Sequence, residues 1–243
     1  MKITWMTQGS FLFETGGTRI LADPYMSDCL EAQGVKRMVA YPLSFQELSP
    51  DMLICTHDHL DHLDPETVEK IATLYPDCLM AGPASCFNHF KQLGVDEKRC
   101  RLMLCGNTFE FKGVKITPVP AYHSDPEAVG IILEAEGKKI YLTGDSLYGE
   151  LLFNEFTANC DLVLICINGR LGNMSIEEAL QVVKKLKPAS ALPMHYGLFA
   201  ENTADPESFI LGCHEAGIKS WNMDVGQAYL FATKMRQKHK RKE

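Results

Sequence analysis

The sequence lacks several features that would assign the protein to a membrane or secreted class. No apolar stretch approaches the roughly 18 to 20 residues of a transmembrane helix, and residues 1–5 do not begin a secretory signal peptide. The nine cysteines are odd in number and none is spaced as Cys-x-x-Cys, which argues against both a disulfide framework and a zinc module built on cysteine pairs. We therefore expect a cytoplasmic protein whose cysteines are reduced.

Positive charge is scarce outside the last ten residues. Residues 234–243 hold six of the 24 Lys and Arg residues and one of the 31 Asp and Glu residues, which leaves 18 basic and 30 acidic residues and a formal charge of −12 before them. Such an acidic body repels the nucleic-acid backbone, so a small molecule is the expected partner. The basic tail, 234–243, is interpreted as a solvated terminus rather than an arm for RNA or membrane.

The chain has no linker rich in Pro, Gly or Ser and no internal repeat, so residues 1–233 are expected to form one domain. Between residues 25 and 50 the pattern is weak and predicts a loop region. Elsewhere, hydrophobic periodicity and helix caps predict an alternation of strands and helices. The strands are expected at 3–6, 11–15, 19–23, 52–55, 109–123, 129–135, 138–145, 161–169, 189–195 and 228–232, and the helices at 64–75, 84–93, 175–186 and 205–216. Two halves, each a sheet covered by helices, predict an α/β fold of the αββα sandwich type.

Residues 55–64, CTHDHLDHLD, gather three histidines and three aspartates directly behind an apolar run. In a helix, His57 and His59 would point about 200° apart and could not share an ion. At the end of a strand, alternate residues face one side, so His57, His59 and Asp61 are expected to converge, while His62 reaches a second position. Imidazole and carboxylate suit Zn²⁺, Mn²⁺ or Fe²⁺. This cluster can therefore serve two ions.

Three further candidate ligands each follow a predicted strand: His123, Asp145 and His195. Functional groups often lie in such loops because the strands hold them rigidly. A structural histidine or an ordinary Gly-Asp turn would explain any one of them alone. Their recurrence at three strand ends indicates instead that they complete a set of seven metal ligands.

These residues resemble the signature of the metallo-β-lactamase superfamily, in which an early Asp and an H-x-H-x-D-H motif are followed by His, Asp and His at successive strand ends. The matching residues are Asp23, the run HDHLDH at 57–62, His123, Asp145 and His195. The resemblance spans nearly the whole chain and implies the αββα fold. It also implies that one ion binds His57, His59 and His123, and the other Asp61, His62 and His195. Asp145 would bridge the two ions, and Asp23 would orient a ligand histidine.

Within the superfamily the sequence is most similar to the L-ascorbate-6-phosphate lactonase group. The similar stretches are THDHLDH, GPASC, GVDEKRC, TGDSLYG and PMHYGLF. The chain departs from the lactonase proper by being shorter and by having Leu147 where that group has histidine. The resemblance implies a metal-dependent hydrolase of a small anionic substrate such as a sugar-phosphate lactone.

The implied cofactors are two divalent transition-metal ions, Zn²⁺ or Mn²⁺. Two cations about 3.5 to 4 Å apart activate a shared water and polarise the electrophile, so no Ser or Cys nucleophile is needed. Asp61 is expected to act in catalysis as a ligand. Asp58 is interpreted either as a general base or proton shuttle or as a residue that hydrogen-bonds its own loop.

Substrate contacts are harder to predict than ligands. The polar loop NGRLGNMS, at 168–175, runs into a helix N-terminus, which offers free N–H groups to an anion. Arg170 and Asn173 of that loop, with Tyr148 and Tyr196 beside two ligands, are the candidate substrate contacts. Loop packing is the alternative interpretation for all four.

Two other functions remain open. A phosphodiesterase or ribonuclease of the same fold would use the same activated water on phosphorus, although the acidic body disfavours long nucleic acids. A non-catalytic metal-binding protein would retain the fold, but it predicts a damaged ligand set. The oligomeric state is open, and a homo-oligomer is possible.

Overall fold

Two stacked β-sheets with helices on their outer faces form the part of the protein, residues 1–231, that the structure, a computed structural model, describes. The first sheet consists of β1 (Lys2–Thr7), β2 (Ser10–Thr15), β3 (Thr18–Ala22), β4 (Met52–Ile54), β5 (Leu79–Gly82), β6 (Cys100–Leu102) and β13 (Ala228–Leu230), in the order β13-β1-β2-β3-β4-β5-β6. The second consists of β7 (Phe109–Phe111), β8 (Val114–Pro120), β9 (Val129–Ala135), β10 (Lys138–Leu142), β11 (Leu162–Cys166) and β12 (Ser190–Met194), in the order β12-β11-β10-β9-β8-β7.

The helices are α1 (Phe45–Leu48), α2 (Pro65–Leu74), α3 (Ala84–Gln92), α4 (Ile176–Leu186) and α5 (Pro206–Glu215). Helices α2 and α3 pack on the first sheet, and α4 and α5 pack on the second. The predicted αββα sandwich is thus confirmed. Within residues 1–231, no helix is long and apolar enough to cross a bilayer.

Strand periodicity divides the side chains of the first sheet between two cores. In β2, Phe11 and Phe13 face the second sheet, whereas Leu12 between them packs under α2 and α3. Leu21 of β3 and Leu53 of β4 lie in the same outer core as Leu12. Both faces of the sheet are therefore buried, and the ligands lie beyond the strand ends, in the loops.

Helices α2 to α5 begin where the sequence predicts them. Asp64 caps α2, with its carboxylate accepting from Glu66 N and Thr67 N, and Asp205 caps α5 by accepting from Glu207 N. Ser175 forms a capping box with Glu178 at the start of α4. Each cap satisfies backbone N–H groups that lack an intrahelical partner, so the loop before each helix ends at a defined point.

The structure differs from the sequence prediction in length and number of strands. Strands β5 and β6 and helix α1 were not predicted, because segments of three or four residues carry little periodicity. Strands β4, β8, β10 and β12 end before the residues that the prediction included in them, so the candidate ligands lie in the loops that follow. The predicted basic tail, 234–243, lies outside the described residues.

Candidate metal centre

The seven predicted ligands come together at one edge of the sandwich, in the loops that follow β4, β8, β10 and β12. His57, His62, Asp145 and His195 are buried, and His59, Asp61 and His123 are partly exposed. The structure groups their ligand atoms into a first set, His57, His59 and His123, a second set, Asp61, His62 and His195, and a third that overlaps both, His57, His62 and Asp145.

The first set consists of three imidazoles whose nitrogens point at one position. His59 Nδ1 lies 3.1 Å from His57 Nε2 and 3.0 Å from His123 Nε2. Two nitrogens bound at 2.0 to 2.1 Å to one tetrahedral Zn²⁺ are about 3.3 Å apart. The three nitrogens are therefore spaced as ligands of one ion.

The second set joins Asp61, His62 and His195. His195 Nε2 lies 3.3 Å from His62 Nε2 and 3.4 Å from Asp61 Oδ2. The expectation that Asp61 would converge with His57 and His59 was wrong. The chain turns immediately after β4, with His62 N and Leu63 N both donating to His59 O, so strand periodicity does not extend to Asp61.

Asp145 lies between the two sets. Its Oδ2 is 3.0 Å from His195 Nε2 and its Oδ1 is 3.3 Å from His62 Nε2. Asp145 also shares a set with His57, which belongs to the first group. One carboxylate is therefore within reach of both groups of histidines.

Hydrogen bonds on the opposite ring nitrogens orient the first three histidines. His57 Nδ1 is 3.0 Å from Thr56 Oγ1, and His123 Nδ1 is 3.1 Å from the carbonyl oxygen of Gly172. His59 Nε2 is 3.3 Å from Ser124 Oγ. When one ring nitrogen donates its proton to such a partner, the other keeps its lone pair for a cation.

Asp23 performs the same task for His62. Its Oδ2 lies 2.8 Å from His62 Nδ1 and accepts from Thr56 Oγ1 at 2.7 Å, while its Oδ1 accepts from Thr56 N at 2.7 Å. Asp23 is fully buried and has a left-handed backbone, φ +45°, a conformation that costs energy for residues other than glycine. The structure thus places Asp23 where the resemblance implied, against a ligand histidine.

The charges around the centre favour a cation. Burial lowers the pKa of His57 well below its ordinary value and lowers that of His123 as well, so both rings are neutral at pH 7. At His195 burial acts in the same direction, but Asp145 and Asp61 outweigh it and raise the pKa to about 9. Burial opposes ionisation of Asp145, yet His195 and His62 hold its pKa well below the usual range. The carboxylates are therefore ionised, and a cation would replace the protons on the second set of histidines.

A buried carboxylate oxygen tests whether the site fits a metal. Asp145 Oδ1 is buried and accepts no hydrogen bond from any residue among 1–231. Its charged neighbour is His62 Nε2 at 3.3 Å. Burying a charged acceptor without a hydrogen bond is costly, and a cation that replaces the His62 proton would satisfy it. Imidazole nitrogens and carboxylate oxygens in this arrangement fit divalent transition metals.

Asp58, a candidate catalytic residue, lies at the partly exposed rim of the centre. Its Oδ1 is 2.6 Å from Nδ1 of His89 on α3, and its backbone N–H donates to Asp125 Oδ2 at 3.0 Å. Its side chain therefore contacts the imidazole of His89, and its backbone is hydrogen-bonded to the loop that contains Asp125. Sequence reasoning missed His89, because nothing in the spacing links α3 to the motif.

The four candidate substrate contacts are placed differently from one another. Arg170 is exposed and donates to Glu201 O at 3.3 Å, and Tyr148 is half-buried with its hydroxyl 3.3 Å from Glu150 Oε1. Tyr196 is buried with its ring centroid 4.7 Å from that of Trp5, and its hydroxyl donates to Asn222. Asn173 is buried and donates to Asp145 Oδ2 at 2.8 Å. Arg170 and Tyr148 are thus the two that solvent reaches.

Sequence reasoning also missed Gln8, whose side chain is fully buried beside the second set. Its Nε2 lies 3.4 Å from both Asp61 Oδ2 and His195 Nδ1, and its backbone carbonyl accepts from His195 N at 3.0 Å. A left-handed φ of +47° at Gln8 accompanies one of +65° at His195. A glutamine in a hairpin turn carries no sequence signal of such a contact.

Comparison with known proteins agrees with this geometry. The sequence profile of the beta-lactamase superfamily domain matches residues 2–195. A UPF0173 metal-dependent hydrolase of Methanopyrus kandleri is 31% identical over 242 residues, covering 90% of this chain and 94% of the relative. One of Pyrococcus abyssi is 32% identical, covering 86% and 90%.

Solved structures show the same fold. A metallo hydrolase from Ignicoccus hospitalis has a TM-score of 0.79 at 23% identity, covering 96% of this chain and 99% of that one. An isothiocyanate hydrolase from Delia radicum gut bacteria has a TM-score of 0.77 at 21% identity, covering 96% and 100%. The profile match and the relatives above 30% identity show that the chain belongs to the metallo-β-lactamase superfamily and is a metal-dependent hydrolase.

Proposed function

We propose that this hydrolase uses two divalent transition-metal ions, Zn²⁺ or Mn²⁺, to cleave a small anionic substrate in the cytoplasm. The observation that carries the proposal is the position of Asp145. Its Oδ1 lies 3.3 Å from His62 Nε2 and its Oδ2 lies 3.0 Å from His195 Nε2, and the same carboxylate shares a ligand set with His57 of the first group. A carboxylate shared between two groups of ligands is suited to bridging a pair of ions.

When bound, such a pair of ions supplies an activated water and polarises the bond to be cleaved. The chain's own residues hold the centre in shape. Thr56, Gly172 and Ser124 keep the first three histidines oriented, and Asp23 orients His62. The Asp58 and His89 pair, at 2.6 Å, can hold a proton at the rim and deliver it to a leaving group.

For the substrate, a sugar-phosphate lactone is our leading candidate. The resemblance to the lactonase group in TGDSLYG and PMHYGLF supports it, as does Arg170, an exposed cation in the loop whose Gly172 contacts a ligand. A phosphodiesterase is the competing candidate, because an activated water can attack phosphorus as well as carbon. The acidic body disfavours long nucleic acids as substrates.

The test is a panel of substrates offered to metal-loaded protein. We would measure ions per chain and then turnover of a phosphorylated sugar lactone, a cyclic nucleotide and a short RNA. The variant His59→Ala should lose one ion and most of the activity. His214→Ala is the matched control, since His214 lies on α5 and contacts Ser220 O. This control should retain both ions and the activity.

The outcomes separate the candidates. Turnover of the lactone above the two phosphodiesters supports the proposal, and the reverse order supports the phosphodiesterase. Two bound ions without turnover of any ester would favour the non-catalytic metal-binding protein. Fewer than two ions per wild-type chain would overturn the dinuclear centre itself.

A further inference from the structure

The loop that joins β11 to α4 folds back over the metal centre. We refer to residues 169–174 as the β11–α4 loop. Gly169, Leu171 and Gly172 all have left-handed backbones, with φ of +64°, +52° and +89°. Gly169 N donates to Met174 O at 2.9 Å, which closes the loop, and Met174 N donates to the carbonyl oxygen of Ser146 at 2.8 Å. The loop is therefore anchored to the residue that follows Asp145.

Asn173 of this loop holds the shared carboxylate. Its side chain is 3% exposed, and its Nδ2 donates to Asp145 Oδ2 at 2.8 Å. This bond occupies one lone-pair position of Oδ2, while Oδ1 accepts no hydrogen bond from the described residues and lies 3.3 Å from His62 Nε2. The bond fixes the rotation of the carboxylate, which keeps Oδ1 facing His62 and holds the carboxylate within the ligand set that includes His57.

The chemistry of the donor matters here. An amide N–H₂ is neutral, so it orients the carboxylate without cancelling the negative charge that attracts cations. A Lys or Arg at this position would compete with the ions for the same charge. Asn173 Oδ1 itself is buried and has no hydrogen-bond partner among residues 1–231. Since an unpaired buried amide oxygen costs stability, the side chain is best explained by what its N–H₂ group does.

Gly172, the preceding residue, reaches the other group of ligands. Its carbonyl oxygen lies 3.1 Å from His123 Nδ1. A Cβ on Gly172 would come within 2.9 Å of the same nitrogen, so no side chain fits between the loop and the ring. Adjacent residues of one loop thus orient a histidine of the first group and the carboxylate shared with the second.

We propose that Asn173 is a positioning residue, which sets the carboxylate of Asp145 for shared binding, and that the β11–α4 loop couples the two ion sites through Gly172 and Asn173. This inference rests on the proposed dinuclear centre. It gives Asn173 a role in holding ions instead of the direct contact with substrate that its place in a polar loop suggested.

The experiment compares Asn173→Ala with Asn168→Ala by metal titration. Asn168 lies just before the loop and is also a buried asparagine; its Nδ2 donates to Asn202 Oδ1 at 2.6 Å and to the carbonyl oxygen of Arg170 at 3.3 Å, so it supports the loop without contacting a ligand. Metal-free wild type and both variants would be titrated with Zn²⁺ against a chelating indicator, which yields the number of ions and the affinity of each. Urea unfolding of the metal-free proteins would show whether each variant folds.

We expect wild type to bind two ions, and Asn173→Ala to bind at least one of them about 10- to 100-fold more weakly, as is typical when a partner of a metal ligand is removed. Asn168→Ala should lose folding stability but retain wild-type affinities. If Asn173→Ala does not fold, Asn173→Ser gives the same comparison, because its hydroxyl is too short to reach Asp145.

Wild-type affinities in a folded Asn173 variant, or an equal loss in Asn168→Ala, would overturn the inference. Fewer than two ions on wild type would instead overturn the proposed function. The two failures are therefore distinguishable within one titration.

Discussion

Replacing Asp23 with asparagine is expected to trap His62 in the tautomer that cannot bind a metal. Asp23 accepts from Thr56 N through Oδ1, and its Oδ2 faces both Thr56 Oγ1 and His62 Nδ1. Asparagine has the same shape but only one acceptor oxygen. If that oxygen stays on Thr56 N, the amide N–H₂ faces His62 Nδ1, which must then accept. The His62 proton moves to Nε2, the atom that faces His195 and Asp145.

The size of the effect follows from these contacts. Loss of the partner that orients a ligand histidine typically costs 10- to 100-fold in metal affinity, or about 1.4 to 2.7 kcal/mol. A hydrogen bond to a charged group contributes about 1.5 to 3 kcal/mol to folding. We therefore expect the unfolding free energy of the metal-free variant to fall by about 2 kcal/mol, as the carboxylate bond to Thr56 Oγ1 or His62 is weakened.

The matched control is Asp64→Asn. Asp64 is likewise fully buried and accepts from Met26 N at 3.0 Å, Ser27 Oγ at 2.7 Å and Thr67 Oγ1, and none of these bonds involves a histidine. Zn²⁺ titration and urea unfolding of both variants separate stability from metal binding, because both should be less stable and only Asp23→Asn should bind an ion more weakly. Wild-type affinity for both ions in a folded Asp23→Asn would refute the tautomer argument.

Three further results are expected. The pKa of His195 is raised to about 9, where the pull of Asp145 and Asp61 exceeds the opposing effect of burial, so an entering cation must displace its proton below that pH. The pKa of His62 is also raised, because Asp145 and Asp61 outweigh its burial, so Zn²⁺ affinity at this site, measured by titration at several pH values, should rise about tenfold per pH unit for each of the two protons displaced, and the contribution of His195 should level off near pH 9. Gly172→Ala should lower the unfolding free energy by about 1 to 2 kcal/mol and should also weaken the binding of one ion. Gly113→Ala, with φ +80° and open space around its Cβ, should lower the unfolding free energy without changing ion binding. Equal ion affinities in the two variants would contradict this prediction. Zn²⁺ at about 100 times its Kd should stabilise the protein by about 2.7 kcal/mol per site in thermal unfolding, and chelator should reverse the gain.

The elements that could be predicted from sequence are those with local signals. The caps Asp64, Ser175 and Asp205 each determine where a helix begins through bonds to residues two or three positions away. A short stretch of sequence is therefore enough to predict the start of each helix. Strands β5 and β6 have no such signal. They form because a neighbouring parallel strand supplies their hydrogen bonds, and that neighbour is distant in sequence.

The composition and order of residues by themselves determined which chemistry is available: seven imidazole and carboxylate groups at strand ends, and little positive charge to compete with a cation. Only the tertiary structure decided how these groups divide. The turn after β4 takes Asp61 away from His57, and the β11–α4 loop brings Asn173 to Asp145. The physical reason is that a ligand's identity is a property of one residue, whereas its direction depends on hydrogen bonds to backbone and side chains that only folding brings within 3 Å.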